Sequence, residues 1–123
     1  RRGSVLVIDD ETRLATTLRL ALTERADVEV AEGGAAALTV LAREGVVFDL
    51  VLCDLMMPEV SGMDVYERTL ETRPDLAARF VFMTGGAFTD RARDFLKTSG
   101  MPRLEKPFAL ADVERILAER LAS

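Results

Sequence analysis

The chain has 123 residues, which fits one domain with its own hydrophobic core and leaves no room for a second. Hydrophobic residues make up 49% and charged residues 30%, and no apolar stretch approaches the roughly 20 residues of a membrane-spanning helix, so we expect no membrane insertion. The net charge of −5 argues against nucleic-acid binding, and the lone Cys53 excludes an internal disulfide and is consistent with the cytoplasm.

The first part of the chain alternates between predicted strands and predicted helices. Residues 5–8 form an unbroken apolar run, which is typical of a strand buried on both faces. Leucines at four-residue spacing across 14–22 predict an amphipathic helix, and a shorter segment at 28–30 predicts an edge strand. A second helix is predicted over 35–43, before Gly45.

The middle of the chain follows the same pattern. Residues 50–53 and 80–83 are two further apolar runs that predict buried strands. Between them, Ser61 and Asp64 have the spacing of a capping box, which predicts the start of a third helix. Pro74 predicts where that helix ends, because the residue before a proline is disfavoured in helical conformation.

Two helices and a weaker strand complete the pattern. Thr89 is the predicted N-cap of a fourth helix, which ends at Gly100. The segment 103–105 predicts a fifth strand, and apolar residues at helical spacing over 110–121 predict the last helix. Five strands alternating with five helices predict a single α/β domain over residues 1–123, with helices on both faces of a parallel sheet.

Polar residues follow four of the predicted strands. Asp9 and Asp10 follow the first, Asp54 the third, Thr84 the fourth and Lys106 the fifth. Ligands of open parallel sheets bind beyond the carboxyl ends of the strands, so we expect these five residues in one crevice. Three carboxylates held close together repel one another unless a cation lies among them, which predicts a divalent metal site.

Magnesium is the expected ion because it prefers oxygen ligands and often shares its site with a phosphate. We expect Asp10 and Asp54 to bind it directly, Asp9 to act through water, and the main-chain carbonyl of Met56 to complete the protein's ligands. A carboxylate can also attack a phosphoryl group whose charge is neutralised, and the ammonium of Lys106 suits that task. The pattern therefore predicts a phosphorylation site.

Each of these features also has an ordinary structural explanation. Adjacent acids favour the start of a helix, and an aspartate after a strand can form a turn. A threonine before Gly85 and Gly86 can belong to a turn, and a lysine among 16 basic residues can be a surface charge. Four such features at matching strand ends favour one shared site over four separate explanations.

Four segments resemble the receiver domain of two-component response regulators, in order and in spacing. They are VLVIDDE at 5–11, DLMMPEVSG at 54–62, MTGG at 83–86 and EKPF at 105–108. The resemblance covers essentially the whole chain. It implies a flavodoxin-like, doubly wound fold with a five-stranded parallel sheet in the order 2-1-3-4-5.

The resemblance also implies a signalling switch rather than an enzyme with its own substrate. Asp54 would accept a phosphoryl group from a histidine kinase or a histidine phosphotransfer domain and later lose it by hydrolysis. Asp9 and Asp10 would hold Mg²⁺, while Thr84 and Lys106 would bind the phosphoryl group.

The resemblance further implies how the switch would operate. Phosphorylation would change partner binding through the surface of the fourth predicted helix, the fifth strand and the fifth predicted helix. The peptide bond between Lys106 and Pro107 would be cis. Arg103 lies where many family members have an aromatic residue that turns inward behind the threonine. Because a buried arginine without a partner is costly, we expect Arg103 to face solvent.

The sequence limits the expected partners. The chain contains no histidine, so the phosphodonor is expected on another domain or protein. The ending from Arg103 to Phe108 is most similar to receiver domains of hybrid sensor kinases, and the first strand begins so early that an excised domain is one interpretation. We expect output by protein contact, without nucleic acid or membrane binding by this domain. Pairing of two copies is left open.

Two alternatives to the switch are considered. The first is a receiver-like scaffold that binds partners without phosphorylation, which the intact set of site residues disfavours. The second is a phosphatase or phosphotransferase with an aspartyl intermediate. Such an enzyme would be expected to have two aspartates two positions apart after the first strand, whereas Asp9 and Asp10 are adjacent.

Overall fold

The computed structural model describes residues 2–86 and 89–122, so positions 1, 87, 88 and 123 of the predicted domain lie outside the described residues. The five strands of the described part are β1 Gly3–Ile8, β2 Ala26–Ala31, β3 Leu50–Asp54, β4 Phe80–Gly85 and β5 Arg103–Lys106. The helices of that part are α1 Thr12–Leu22, α2 Gly34–Leu41, α3 Gly62–Thr72, α4 Pro74–Ala77, α5 Asp90–Ser99 and α6 Leu110–Ala122.

The five strands form one parallel sheet in the order β2-β1-β3-β4-β5. β1, β3 and β4 are interior, and their apolar side chains are almost completely buried. β5 pairs only with β4 and alternates between exposed and half-buried residues, which explains its weak apolar pattern in the sequence. The predicted doubly wound α/β fold, with strand order 2-1-3-4-5, is confirmed.

The core consists of two apolar layers, one on each face of the sheet. On one face, α1 and α6 cover side chains of β1, β3 and β4, with Leu18 and Leu117 among the buried contacts. On the other face, α2, α3, α4 and α5 pack against the alternate residues of the same strands, including Phe80 and Phe82. Because helices cover both faces of the sheet, a ligand can approach it at the carboxyl ends of the strands.

The predicted helix ends of α3 and α5 are confirmed. The hydroxyl of Ser61 accepts a hydrogen bond from the Asp64 amide, and the Asp64 carboxylate accepts one from the Ser61 amide, which is a complete capping box. Thr89 caps α5 by accepting a hydrogen bond from the Ala92 amide, and Gly100 ends that helix with φ of 65°.

The described residues form one helix more than the five predicted. The extra element is α4, a single turn that begins at Pro74 directly after α3. Pro74 ends α3, but its fixed φ also suits the first position of a new helix, and burial of Leu76 and Ala77 holds that turn against the core. No helix within the described residues is long and apolar enough to span a membrane.

Candidate functional site

The carboxyl ends of β1 and β3 bring the three predicted acidic residues together. The strand register aligns Ile8 with Cys53, so Asp9 and Asp54 lie at neighbouring positions on the same edge. One carboxylate oxygen from each of Asp9, Asp10 and Asp54 lies within 4.8 Å of the other two. The predicted convergence of these carboxylates therefore exists in the folded chain.

The three carboxylates differ in their surroundings. Asp9 is completely buried, and its Oδ1 accepts a hydrogen bond of 2.9 Å from the Glu11 amide. The Asp54 side chain is 13% exposed, and its Oδ1 accepts a hydrogen bond of 3.3 Å from the Met56 amide. Asp10 is exposed. The cluster is thus buried at Asp9 and accessible to solvent at Asp10 and, in part, at Asp54.

Lys106, the last residue of the edge strand β5, extends to the acidic cluster. Its Nζ lies 3.3 Å from Asp9 Oδ2 and 3.4 Å from Asp54 Oδ2. The side chain is 24% exposed, so water screens these ion pairs less than it would at the surface. The following peptide bond, Lys106–Pro107, is cis.

The electrostatics of the site follow from this arrangement. Desolvation, followed by repulsion from Asp9, raises the pKa of Asp54 from 3.8 to about 6, although the Lys106 ammonium opposes the rise. Desolvation alone would lower the pKa of Lys106, but attraction by Asp54 and Asp9 outweighs it, so the pKa of Lys106 is raised. The single Lys106 ammonium therefore offsets only part of the negative charge of the three carboxylates.

The donor set fits a hard divalent cation. All three side chains offer carboxylate oxygens, which are the ligands that Mg²⁺ prefers, and the remaining repulsion among them favours an additional positive charge. Asp9, Asp10 and Asp54 could hold the ion, with the carbonyl of Met56 as the expected main-chain ligand. Met56 is 41% exposed and lies two residues after Asp54, the last residue of β3.

The two remaining predicted residues lie on the neighbouring strands β4 and β5. Thr84 is buried near the end of β4, where the register pairs it with Glu105 and pairs Gly85 with Lys106. Arg103, at the start of β5, is exposed, and its guanidinium lies 3.9 Å from the Glu105 carboxylate. In this structure, Arg103 is therefore directed to solvent rather than packed behind Thr84.

Two glycines that the sequence interpretation missed position the loop after Asp54. A Cβ atom on Gly62 would lie 2.1 Å from the Asp54 carbonyl oxygen, and one on Gly34 would lie 2.4 Å from the Val60 carbonyl oxygen. Only glycine allows these close backbone approaches. For Gly62, the signal in the sequence was its place in the first turn of a helix, directly after the N-cap Ser61.

Comparisons with known proteins agree with the fold. The family model described as response regulator receiver domain matches residues 5–118. The chain is 35% identical, over 98% of its length, to the DNA-binding transcriptional regulator NtrC of Bradyrhizobium sp. (strain RP501 Parasponia), and spans 24% of that protein. It is 30% identical, over 97% of its length, to the sensor kinase CckA of Brucella abortus (strain 2308), and spans 12% of that protein.

A solved structure has the same fold. A CheY-like response regulator receiver domain protein from Methanospirillum hungatei JF-1 superimposes with a TM-score of 0.80, at 23% identity, over 99% of this chain and 98% of that one. The chain spans about a quarter or less of the two curated relatives named above, so the activities of those whole proteins lie beyond this comparison. The family match over residues 5–118 and the agreement in fold show that this chain belongs to the response regulator receiver domain family.

Proposed function

We propose that Asp54 is the phosphoacceptor of a phosphorylation-dependent signalling switch. The donor would be a phosphohistidine on a histidine kinase or a histidine phosphotransfer domain, and the reaction would require Mg²⁺. Receiver domains are phosphoacceptor signalling modules rather than enzymes with their own substrates, and this chain belongs to that family. We assign the reaction to the cytoplasm, with which the free thiol of Cys53 is compatible.

The observation that supports this proposal most directly is that the Asp54 carboxylate lies beside both an ammonium group and two other carboxylates. Its Oδ2 lies 3.4 Å from the Lys106 ammonium, and its carboxylate is part of the cluster with Asp9 and Asp10. A metal ion bound there would neutralise charge on the phosphoryl oxygens and orient them. Asp9, Asp10, Asp54 and the Met56 carbonyl are the proposed ligands.

The proposed transfer step uses the Asp54 carboxylate as nucleophile. A bond forms between an Asp54 oxygen and phosphorus while the bond from phosphorus to the donor imidazole nitrogen breaks, and the departing nitrogen keeps the electron pair. Lys106, freed from Asp54, would pair with a phosphoryl oxygen, and the hydroxyl of Thr84 would donate a hydrogen bond to another. Hydrolysis of the acyl phosphate would reset the switch.

The proposed output surface comprises α5, β5 and α6, which are the predicted fourth helix, fifth strand and fifth helix. β4 delivers Thr84 and leads into α5, while β5 delivers Lys106 and leads into α6, so both proposed phosphoryl ligands are attached to this surface. A shift of either side chain toward Asp54 would change how these elements pack. Arg103, which faces solvent, would take no part behind Thr84, so activation would depend on Thr84 and its loop.

The test is phosphorylation of the purified protein by acetyl phosphate, followed by intact mass measurement. We expect one phosphate adduct with Mg²⁺ and none with excess EDTA. The adduct should disappear in Asp54→Asn. Asp94→Asn, the same chemical change on the exposed side of α5, is the matched control and should be phosphorylated normally.

The alternatives predict different results in this experiment and in two additions to it, incubation with a histidine kinase and with phosphomonoesters. No adduct with acetyl phosphate or with a histidine kinase would indicate a scaffold that acts without phosphorylation. Multiple turnover on phosphomonoesters would indicate a phosphatase. An adduct that persists in Asp54→Asn would assign the phosphoacceptor to another residue.

A further inference from the structure

An ion pair between two helices joins the start of α5 to the start of α3. The Arg91 guanidinium donates a hydrogen bond of 3.1 Å to Asp64 Oδ1 and lies 3.4 Å from Glu67 Oε1. Arg91 is the second residue of α5, and Asp64 is the third residue of α3. The two helices are therefore tied together near their amino ends.

The Asp64 carboxylate serves both helices with different oxygens. Its Oδ2 accepts hydrogen bonds from the amide and the hydroxyl of Ser61, at the capping box of α3, while its Oδ1 accepts the bond from Arg91. The bond from the Ser61 amide, followed by that from Arg91, lowers the pKa of Asp64, so this carboxyl is ionised at neutral pH. One charged group thus fixes the start of α3 and holds the start of α5.

Arg91 occupies an end of α5 where a positive charge is unfavourable. The aligned peptide dipoles of a helix give its amino end a partial positive charge, which repels a cation in the first turn. Asp90, the acidic residue of that turn, pairs with Arg93 at 3.1 Å. The stabilisation of Arg91 in this position therefore comes from α3, through Asp64 and Glu67.

The two joined helix starts belong to different sides of the proposed phosphorylation site. The start of α3 is fixed against β3, because a Cβ atom on Gly62 would lie 2.1 Å from the Asp54 carbonyl oxygen. The start of α5 belongs to the first helix after Thr84, whose hydroxyl is proposed to shift toward a phosphoryl group on Asp54. Arg91 therefore connects the side that would move to the side that is fixed.

A second contact between α5 and α3 lies one turn further along α5 and is apolar. The Phe95 ring packs edge-on against Tyr66 of α3, with a centroid distance of 5.5 Å, and against Phe82 of β4, at 5.3 Å. These ring contacts do not depend on the charge of Arg91. The helix would stay attached at Phe95 if Arg91 were released, so its start could move about this point without unfolding.

We propose that Arg91 is a positioning residue that holds the start of α5 in its unphosphorylated place and thereby restrains Thr84. Phosphorylation would draw Thr84 toward Asp54 and pull Arg91 away from its two carboxylate partners. The ion pairs are then present in only one of the two states, so they oppose the switch by the free energy that they contribute. This inference rests on the proposed function of Asp54.

The test measures the affinity of the protein for beryllofluoride, an analogue of the phosphoryl group, in the presence of Mg²⁺. Binding is followed by two-dimensional ¹H–¹⁵N NMR. We expect Arg91→Gln to bind the analogue about threefold more tightly than the wild type, because exposed ion pairs contribute modestly. Arg91→Lys keeps the charge but loses the planar fork, so its affinity should lie between the two.

The matched control is Arg93→Gln, the same change on the same helix. The Arg93 side chain is 66% exposed against 60% for Arg91, but its ion pair with Asp90 lies within α5. We expect this variant to bind the analogue as the wild type does. An equal gain in Arg93→Gln would reduce the effect to net charge and overturn the proposal, and so would an unchanged or weaker affinity in Arg91→Gln.

Ionic strength gives a readout that a purely structural role of Arg91 would not change. Salt screens exposed ion pairs, so the advantage of Arg91→Gln over the wild type should be largest at about 0.05 M NaCl and should nearly disappear at about 1 M. An advantage of the same size at both concentrations would show that packing, not the ion pairs, restrains α5, and would refute the proposal.

The same titrations separate this inference from the proposed function. If the wild type binds the analogue, Asp54→Asn does not, and Arg91→Gln matches the wild type, the role of Arg91 is overturned and the phosphoacceptor stands. If the wild type gains neither the analogue nor a phosphate adduct from acetyl phosphate, the phosphoacceptor is refuted and the restraint on it fails as well.

Discussion

Asp54 is an ionisable group that the fold holds close to another carboxylate and largely shields from water. Burial first, and repulsion by Asp9 second, raise its pKa to about 6, so in the metal-free protein ionisation of Asp54 costs free energy. Lys106 relieves part of this cost through its contact at 3.4 Å. A bound cation would therefore stabilise the ionised Asp54 carboxylate.

The raised pKa of Asp54 has a definite sign for stability. A carboxyl whose folded pKa lies above its unfolded pKa contributes stability that is complete below about pH 4 and is lost as pH rises through about 6. Asp54→Asn cannot ionise, so in EDTA at about pH 7.5 its free energy of unfolding should exceed that of the wild type by about 1–3 kcal/mol. Urea denaturation at about pH 4 and 7.5 measures the difference, which should nearly vanish at the lower pH.

A difference that is the same at both pH values would contradict this account, because it would have to arise from packing rather than from ionisation. Asp94→Asn is the control for the general effect of an added amide. Its carboxylate is exposed, and the variant should follow the wild type at both pH values.

Lys106→Ala removes the counter-charge but leaves all three carboxylates in place. We expect Mg²⁺ to bind at least as tightly as in the wild type, since the ion no longer competes with an ammonium. The aspartyl phosphate should accumulate to a lower level, because a ligand of the phosphoryl oxygens is lost. Isothermal titration calorimetry with Mg²⁺ and intact mass after acetyl phosphate treatment measure the two effects.

The chain offers a direct control for this prediction, because its other lysine, Lys97, is exposed on α5. Lys97→Ala should bind Mg²⁺ and accept phosphate as the wild type does. Loss of Mg²⁺ binding in Lys106→Ala, or an unchanged level and lifetime of its phosphate adduct, would be inconsistent with the proposed role of Lys106.

At the scale of elements, the site depends on how closely α3 approaches the end of β3. Gly62 begins α3, and its amide donates a hydrogen bond of 3.0 Å to the carbonyl of Leu55, the residue after Asp54. The capping box of Ser61 and Asp64 holds the start of the helix in that place. A helix N-terminus is thereby held firmly against the backbone of Asp54.

Gly62→Ala should disturb both the fold and the site. The new methyl group would lie 2.1 Å from the Asp54 carbonyl oxygen, a backbone atom that cannot move aside alone. We expect a loss of about 1–3 kcal/mol in the free energy of unfolding, measured by urea denaturation, and slower phosphorylation of Asp54. Gly85→Ala is the matched control, because its methyl would meet only Lys106 Cδ, at 3.9 Å, and should cost little.

Sequence patterns identified the strands and most helices because those signals are local. Apolar runs marked the interior strands, and Ser61, Asp64, Thr89 and Gly100 marked helix ends where they occur. The short helix at Pro74–Ala77 was missed because a proline signals both the end of one helix and the start of another. The strand order came from resemblance to a family, not from periodicity, since no local pattern states which strands pair.

The site was predictable as a set of residues but not as a geometry. Strand ends indicated that Asp9, Asp54 and Lys106 would meet, yet the ion pairs at 3.3 and 3.4 Å depend on the length of the lysine and the position of an edge strand. The contribution of Gly62 was missed because its close approach to the Asp54 backbone depends on the path of the intervening loop, which leaves no periodic signal in the sequence.

At the scale of the whole molecule, the acidic cluster would link binding of the proposed metal ion to folding. The three carboxylates meet only in the folded sheet, so an ion that binds them stabilises the folded state alone. At a Mg²⁺ concentration ten times the dissociation constant, we expect a gain of about 1.4 kcal/mol in the free energy of unfolding.

Thermal denaturation with MgCl₂, compared with NaCl at the same ionic strength, measures this gain. Asp10→Asn removes an exposed ligand without disturbing the buried Asp9, and should lose most of the effect. Equal stabilisation of Asp10→Asn and wild type by Mg²⁺ would indicate that the ion binds elsewhere or acts only through screening.

The ion pairs between Lys106 and the two aspartates connect residues 97 and 52 positions apart. During synthesis, the earlier aspartates emerge from the ribosome long before the lysine that completes their surroundings. A chain in which β5 has not yet formed therefore has the proposed nucleophile, Asp54, without its counter-charge, until the edge strand joins the sheet. The proposed phosphorylation site is in this way completed late in folding, only when β5 has been added to the sheet.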